Sequence, residues 1–503
     1  MSEDSLVPPT ISVRRLTICA VVAAALFLVP ATSTFTSNMR FTCALGLFMA
    51  LLWLTEAVPM GLTALLPLIL IPLAGIQTTE KVAAPYANSA VFLFLGGFLV
   101  ASCVEKWGLH RRVAYSVLSR VGTEPRRIVL AVLIVTVLLS MWMSNTASTL
   151  LMTPIAVALV RDLKARDKVL GGDENTRLAE STLLAVAYGA SLGGLGTPIG
   201  TPTNLIFLGA AKELFPKEPA VSFAQWMGFG VLYLLLAVPA CWFILIVAGR
   251  LKSGKAVPLS ELGFDKPGPI TRGERTTAIL FAATALLWIF RADIALGAFT
   301  IPGWSNILPN PKSANDATVA IAMSFLAFLI PVGGGRRLLE WEQFKKLPWD
   351  VLILFGGGFA LADSLEATGF SKWAGAQLSF VGQWPPVAMI LIICIVVTLL
   401  SEVASNVATA TAMLPVVAAV AIAIGVHPYF LMIPAVLAAS SGFMLPVATA
   451  PNTIVYGTGL IRVKQMARAG VALDVVCAVV ITLLMFTVVP KILGIVLTSP
   501  IVK

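Results

Sequence analysis

The sequence has few charged residues and few of the side chains that build metal sites or disulfide frameworks. Only 12% of its 503 residues are charged, 58% are hydrophobic, and the mean hydropathy is +0.91. Its two histidines fall in predicted loops, and its six cysteines lie in or beside apolar segments with neither a paired extracellular spacing nor a CxxC motif. These scarcities exclude a soluble protein, a disulfide scaffold and a cysteine metal site. They predict a polytopic protein of the lipid bilayer.

Catalytic motifs are also missing from the apolar segments. We find no aspartate pair, no HExxH motif and no Ser/His couple within the predicted spans, so we predict that the protein is not an enzyme. The formal net charge of +10 would suit nucleic acid, but the basic residues cluster in loops that alternate with apolar spans. That alternation is typical of membrane topology, and we predict no nucleic-acid partner.

The segment from Arg126 to Val160 is apolar except for Ser144-Asn145-Thr146 near its middle. As one straight helix it would be roughly 50 Å long, against a hydrocarbon core of about 30 Å. Both of its flanks are strongly basic, which places both ends in the cytoplasm. We therefore predict a re-entrant helical hairpin over residues 126–160, with the polar run at its tip.

This hairpin occurs twice in the chain. Adding 261 to the residue number carries Ser140 to Ser401 and Asn145 to Asn406, and one constant offset indicates an internal repeat. The second hairpin covers residues 386–424. Because its flanks have almost no Lys or Arg, we expect it to enter from the outside, so that the two repeats are inverted.

Each hairpin is followed by a helix that is interrupted by glycine and proline. We predict broken helices over residues 178–210 and 430–460, and adding 248 to the residue number carries Gly194 to Gly442 and Asn204 to Asn452. Irregular backbone at membrane depth is tolerated only where protein buries it or where it lines a polar cavity.

The predicted fold is an all-α polytopic membrane protein with about 11 transmembrane helices and two re-entrant hairpins. Residues 1–40 form an N-terminal span, 41–249 the first inverted repeat, 250–276 a cytoplasmic linker and 277–503 the second repeat. The basic stretch from Lys106 to Arg120 is predicted to lie as an amphipathic helix along the membrane surface. This topology leaves the N-terminus in the cytoplasm and the C-terminus outside.

Two tips and two broken helices should meet near the bilayer midplane. Hydroxyl, amide and carbonyl oxygens suit a small cation such as sodium, and the helix N-termini after the tips suit an anion without any Lys or Arg. A plain helix N-cap is the alternative for Ser144-Asn145-Thr146, but a second copy at membrane depth favours binding. Glu402 is either a cation or proton partner or a structural hydrogen-bond acceptor, and Asp474 is expected to be a packing residue.

The segments from Trp53 to Leu68, Ser140 to Ser148, Ser401 to Pro415 and Leu445 to Asn452 closely resemble the divalent anion:sodium symporter family. The resemblance spans almost the whole chain. It implies a homodimer of the cell (inner) membrane, in which each protomer has a scaffold domain and a transport domain that moves as an elevator. It also implies sodium-coupled import of C4-dicarboxylates such as succinate, malate and fumarate, or of tricarboxylates such as citrate.

The resemblance also implies positions for the transported ions and the substrate. The first sodium site would use Ser140, Ser144, Asn145 and Gly200; the second would use Ser401, Ala404, Asn406 and Ala448. The substrate would contact Asn145, Thr146, Asn406 and the position of Val407, with Thr201, Pro202 and Thr449 close by. Val407 departs from the family pattern, in which many members have threonine there, and Ala450 stands where proline is common.

Other transport classes remain open at this point. A sodium-independent exchanger of di- or tricarboxylates from the same superfamily is the main alternative, and a sulfate carrier is a weaker one. The flanks of the Ser-Asn cores look like those of the sodium-coupled branch. An ion channel would not require two hairpins and a duplicated cation site.

Overall fold

The computed structural model describes residues 11–122, 124–165, 172–252, 266–296 and 299–496, and the side chains of these residues except 160–175, 295–296 and 379. Residues 253–265 of the predicted linker 250–276 and the residues after 496 lie outside this description. The helices before the linker are α1 Val13–Ala24, α2 Ser37–Thr55, α3 Met60–Thr63, α4 Leu66–Leu73, α5 Thr79–Ala83, α6 Ser89–Lys106, α7 Leu109–Val121, α8 Pro125–Ser140, α9 Asn145–Ala165, α10 Gly172–Gly194, α11 Pro202–Leu214 and α12 Phe223–Gly249.

The helices after the linker are α13 Arg272–Ile289, α14 Asp316–Leu329, α15 Trp341–Lys345, α16 Trp349–Ala367, α17 Phe370–Gln377, α18 Pro386–Val403, α19 Asn406–Ala423, α20 Tyr429–Ala439, α21 Ala450–Tyr456, α22 Val463–Thr487 and α23 Val489–Leu493. The predicted helical class is confirmed. Two short antiparallel ribbons lie in the connections: β1 Ile294–Leu296 with β2 Phe299–Ile301, and β3 Pro331–Gly333 with β4 Arg336–Arg337.

The predicted number of eleven spans is not confirmed. Among the described residues, six helices are long and apolar enough to cross a membrane, or seven if the pair α16 and α17, bent by 76°, counts as one. The remaining apolar helices are shorter because specific residues end them. The first predicted span, for instance, gives α1 and a 3-10 turn that ends at Leu28, two residues before Pro30, whose ring cannot extend a helix.

Helix ends follow local chemistry that the sequence contains. The predicted break around Glu56 falls between α2 and α3, where Glu56 adopts a left-handed conformation with φ of 47° and Pro59 follows. Capping boxes begin α12 at Ser222, α13 at Thr271 and α14 at Asn315. The capping residues therefore fix the first residue of α12, α13 and α14.

The broken helices form the centre of the protein. Every residue from Leu178 to Thr201 is buried, and so is every residue of α20. A helix that is apolar on all sides belongs in the interior of a large protein. By contrast, α22 exposes the apolar stripe Val471, Val475, Val479 and Leu483, as expected for a helix that faces lipid.

The two halves pack crosswise around this centre. Helices α8 and α9 pack against α10, and α18 and α19 pack against α20. In addition, α9 contacts α21 of the other half, while α19 contacts α11. Each predicted hairpin is therefore a pair of helices that touches the broken helices of both halves, and the turns between the paired helices lie beside the breaks.

Candidate functional site

The turn between α8 and α9 carries the Ser-Asn-Thr run. Helix α8 ends at Ser140, the chain turns through residues 141–144, and α9 begins at Asn145. The hydroxyl of Ser144 accepts a hydrogen bond from the backbone N–H of Ala147 at 3.2 Å, which is the N-cap role that the sequence left open. Thr146 projects from the first turn of α9 and is exposed.

Ser140 and Asn145 meet the backbone of the first broken helix. The Ser140 hydroxyl donates to the carbonyl of Ala190 at 2.6 Å and lies 2.8 Å from the side-chain amide of Asn145. That amide also lies 3.0 Å from the Ala190 carbonyl oxygen and 3.3 Å from the Gly200 carbonyl oxygen. Turned one way, the amide nitrogen donates to all three oxygens; turned the other way, the amide oxygen joins them as a set of hard ligands.

The first break, between α10 and α11, is held by side chains that sequence reasoning did not assign. The Asn204 amide donates to the carbonyls of Gly194 at 2.9 Å and Thr197 at 2.8 Å, and the Thr197 hydroxyl donates to the carbonyl of Met141. Gly200 has to be glycine, because a Cβ there would lie 2.6 Å from the Gly194 oxygen and 2.9 Å from the Ser140 oxygen. The contact between Thr197 and Met141 therefore ties the first break to the turn of the first hairpin.

The second half repeats these contacts. The Ser401 hydroxyl donates to the Ala439 carbonyl at 2.5 Å and lies 2.8 Å from the side-chain oxygen of Asn406, at the start of α19. The Asn452 amide donates to the carbonyls of Gly442 at 3.3 Å and Leu445 at 2.9 Å. Asn452, Gly442 and Leu445 are the positions reached from Asn204, Gly194 and Thr197 by adding 248 to the residue number. The same pair of backbone carbonyls is therefore held by an asparagine amide at each break.

The amide oxygens of Asn204 and Asn452 share a further property. Both side chains are fully buried, and neither oxygen has a hydrogen-bond partner within the described ranges. A buried polar atom without a partner is costly, and the same cost recurs in both halves. The signal that could have identified these residues was present in the sequence, since both asparagines follow the constant offset.

Two differences separate the halves. Ala448 stands where the first half has Gly200, and it is buried. Glu402, which has no counterpart at Met141, accepts hydrogen bonds from the backbone N–H groups of Met444 at 2.8 Å and Leu445 at 2.9 Å. The alternative of a structural acceptor for Glu402 is thus the one that the structure shows.

The two breaks touch each other directly. The hydroxyls of Thr203 in α11 and Ser440 after α20 lie 2.6 Å apart, and both side chains are buried. Their separation in the chain matches neither repeat offset, so no pattern in the sequence indicates this contact. It joins the broken segments of the two halves into one polar centre.

The other predicted residues lie around this centre in different settings. Thr201 and Pro202 begin α11, and the Thr449 hydroxyl caps α21 by accepting from the Asn452 N–H at 3.2 Å. Val407 is half-buried and packs against the neighbouring core, while Ala404 is the extended residue that ends α18.

Three ionisable residues stand apart from the tips. Neither carboxylate oxygen of Asp474 has a hydrogen-bond partner in the part of the chain that the structure describes. The loop assignment of His110 was wrong: it lies in α7, because α6 ends at Lys106 and α7 starts three residues later. His427 is in the turn before α20, with Nε2 3.5 Å from Glu218, and burial lowers the pKa of both histidines.

The chemistry of the site is that of oxygen ligands. Within the described ranges no group of three or more His, Cys, Asp or Glu side chains could hold a metal ion. The hydroxyls, amides and carbonyls beside each turn suit a hard monovalent or divalent cation rather than a transition metal.

Comparisons with known proteins agree with this reading of the fold. A family model described as the sodium:sulfate symporter transmembrane region matches residues 11–496. The sodium-dependent dicarboxylate transporter SdcS of Staphylococcus saprophyticus is 39% identical over 476 residues, which cover 92% of this chain and 88% of that protein. The protein of the same name from Staphylococcus aureus strain NCTC 8325 is 38% identical over 470 residues, with the same coverage.

Two solved structures are similar in fold alone. MtrF of Neisseria gonorrhoeae, whose structure illuminates a class of antimetabolite efflux pumps, gives a TM-score of 0.58 at 12% identity and covers 96% of both chains. The YdaH transporter of Alcanivorax borkumensis gives 0.55 at 15% identity, covering 80% of this chain and 86% of its own. The family match and the two relatives show that the chain belongs to the sodium:sulfate symporter family. These are the divalent anion:sodium symporters that its hairpin motifs resemble.

Proposed function

We propose that this protein is a secondary active transporter of the cell (inner) membrane that imports C4-dicarboxylates such as succinate, malate and fumarate together with sodium ions. The observation that carries the proposal is the duplicated group of serine hydroxyl, asparagine amide and backbone carbonyls where each hairpin turn meets a broken helix. Relatives at 38–39% identity are named sodium-dependent dicarboxylate transporters, which supports the same substrate and ion.

The two oxygen groups are the proposed sodium sites. The first consists of Ser140, Ser144, Asn145 and the Gly200 backbone; the second consists of Ser401, Ala404, Asn406 and the Ala448 backbone. Sodium takes oxygen ligands of this kind without needing a full negative charge from the protein. Sodium is cargo here and leaves with the substrate.

The substrate site lies between the two turns in this proposal. Asn145 and Thr146 contact one carboxylate, Asn406 contacts the other, and the remaining wall consists of Thr201, Pro202, Val407 and Thr449. The first-turn N–H groups of α9 and α19 add partial positive charge. Such a site binds a dianion without a buried Lys or Arg.

The asparagine amide couples the ion to the substrate. An amide presents oxygen on one side and NH₂ on the other, so only one of them can face the carbonyls of Ala190 and Gly200. Without sodium, the nitrogen faces those carbonyls and the oxygen is directed at the substrate carboxylate, which it repels. With sodium bound, the oxygen turns to the ion and the NH₂ group is free to donate to the substrate, so sodium binds first.

The proposal includes the domain arrangement that the family implies. Two inverted repeats, residues 41–249 and 277–503, build a homodimer whose transport domains move as elevators relative to the scaffold. The N-terminus is in the cytoplasm and the C-terminus is outside. The contacts of both hairpins with the buried broken helices support a transport domain made of these elements.

The proposal is tested by uptake of labelled succinate into proteoliposomes, either empty or preloaded with unlabelled succinate, with and without an inward sodium gradient. We expect uptake into empty vesicles only when the gradient is present. Uptake confined to preloaded vesicles and indifferent to sodium would instead identify a di- or tricarboxylate exchanger.

Two equivalent glycines give a matched test of the first sodium site. A Cβ at Gly194 would overlap the side-chain oxygen of Asn145, whereas a Cβ at Gly442 would meet only ordinary contacts at 3.4–3.6 Å. Gly194→Ala should raise the sodium concentration for half-maximal succinate uptake about tenfold or more, because a hydrogen bond or ligand contact with a charged group contributes about 1.5–3 kcal/mol. Gly442→Ala should leave it within about twofold, since ordinary contacts cost little. Equal sodium dependence in the two variants would contradict the assignment.

Val407 gives a test of the substrate site. Val407→Thr keeps the shape of the side chain and adds one hydroxyl donor beside the second turn. The succinate concentration for half-maximal uptake should fall about threefold or more, since a hydrogen bond contributes about 0.5–1.5 kcal/mol. Sodium dependence should stay unchanged, and Val407→Ala, which adds no donor, should not reproduce the gain. A Thr variant with unaltered succinate dependence would place residue 407 outside the substrate site.

A further inference from the structure

A cavity of about 890 Å³ lies beside the first hairpin. One wall runs from Ser144, the last residue of the hairpin turn, along the face of α9 from Thr146 to Ile155. The other wall is formed by the end of α6, by α7 and by Pro267. Thr146 and Ile155 are nine residues apart, which is roughly 14 Å along a helix. That distance is about half the hydrocarbon core, so the cavity leads from the depth of the turn to one membrane surface.

The surface that it reaches is the one where the basic loops lie. Helix α7 packs against α8 and carries Arg111, Arg112 and Arg120, in the loop region that the charge pattern places in the cytoplasm. The cavity is therefore a vestibule between the turn of the first hairpin and the cytoplasm.

Two cations close to Arg111 in the chain are paired with carboxylates. Lys106 lies 3.3 Å from the carboxylate of Glu340, and Arg112 lies 3.1 Å from that of Glu274. Arg111 differs: it lines the vestibule, is exposed, and has no hydrogen bond or ion pair from its side chain in the part of the chain that the structure describes.

Two other ionisable groups share the vestibule wall. Glu105 is exposed and, like Arg111, its side chain has no partner within the described ranges. His110 is buried, and burial lowers its pKa, so it is neutral at pH 7. The field that a dianion meets in this vestibule thus depends on one positive charge at Arg111 and one negative charge at Glu105.

We propose that Arg111 is an anion-binding station at which a dicarboxylate pauses between the hairpin turn and the cytoplasm. The inference rests on the proposed dicarboxylate transport and adds a residue to it. Arg111 attracts the dianion, and Glu105 repels it and confines it to the Arg111 side of the cavity.

The repeat places a counterpart on the other side of the membrane. Adding 261 carries Arg111 to Lys372, and Gly108 to Gly369, two glycines that precede α7 and α17 in the left-handed conformation. Lys372 is exposed, and between Glu366 and Pro385 it is the single basic residue. By the repeat, Lys372 holds the position on the outer side that Arg111 holds on the inner side.

The experiment compares right-side-out and inside-out membrane vesicles that contain the full protein. Labelled succinate uptake, driven by an inward sodium gradient, is measured against succinate concentration at each exposed face. Arg111→Gln should raise the half-saturating concentration at the cytoplasmic face roughly three- to tenfold and leave the outer face unchanged, as removal of one charge several ångströms from a dianion predicts. Lys372→Gln should do the opposite.

Three further variants separate attraction from general effects. Glu105→Gln should lower the half-saturating concentration at the cytoplasmic face, and Arg111→Lys should match the wild type because it keeps the charge. Arg120→Gln removes a charge from the same helix outside the vestibule and should change nothing. The effect of Arg111→Gln should also shrink when choline chloride raises the ionic strength at constant sodium.

The outcomes are distinguishable. If wild-type vesicles show no sodium-dependent succinate flux, the proposed function fails and the station fails with it. If the wild type transports succinate but Arg111→Gln changes neither face, changes both faces equally or is matched by Arg120→Gln, the station alone is overturned.

Discussion

The structure depends on one constraint, which is that a helix broken inside a membrane must find partners for its freed backbone groups within the protein. The clamp by Asn204 on the carbonyls of Gly194 and Thr197 satisfies that constraint in the first half, and Asn452 does so in the second. Each clamp binds two carbonyls of its break through the amide nitrogen. In the first half the carbonyls of Ala190 and Gly200 lie outside the clamp and face the neighbouring hairpin turn. The constraint that makes a break costly is thus also what collects oxygen atoms in one place.

The crosswise packing turns two such places into one centre. Helix α9 of the first half contacts α21 of the second, α19 contacts α11, and the hydroxyls of Thr203 and Ser440 meet between the breaks. A change at one turn therefore reaches the break of the other half through direct contacts. In the proposed mechanism, this connection lets ions at two separate oxygen groups act on one substrate.

Local chemistry in the sequence was sufficient to locate these elements. The first hairpin, expected over residues 126–160, corresponds to α8 and α9 from Pro125 to Ala165, and the second, expected over 386–424, corresponds to Pro386 to Ala423. Proline at the start of each hairpin and a polar turn between its helices are local signals. The repeat offset also pairs Ser140 with Ser401, and in the structure both serines donate to a carbonyl of the adjacent broken helix.

Contacts between distant segments were beyond such reasoning. The pair Thr203 and Ser440 follows no offset. Arg111 has no side-chain partner among the described residues, and that could be recognised only after Lys106 and Arg112 had been seen in ion pairs. The number of spans stays a prediction, because hydropathy registers apolar content but not the residues that end a helix, such as Pro30 after the turn that follows α1.

The central claim is that the two oxygen groups bind sodium before substrate arrives. Binding of radiolabelled sodium to the purified protein without dicarboxylate tests it most directly, with Asn145→Ala, Asn406→Ala and the double variant compared at equal folded amounts. The account predicts that each single variant loses part of the bound sodium and that the double variant loses the sum of both parts. Sodium binding equal to the wild type in the double variant would contradict it.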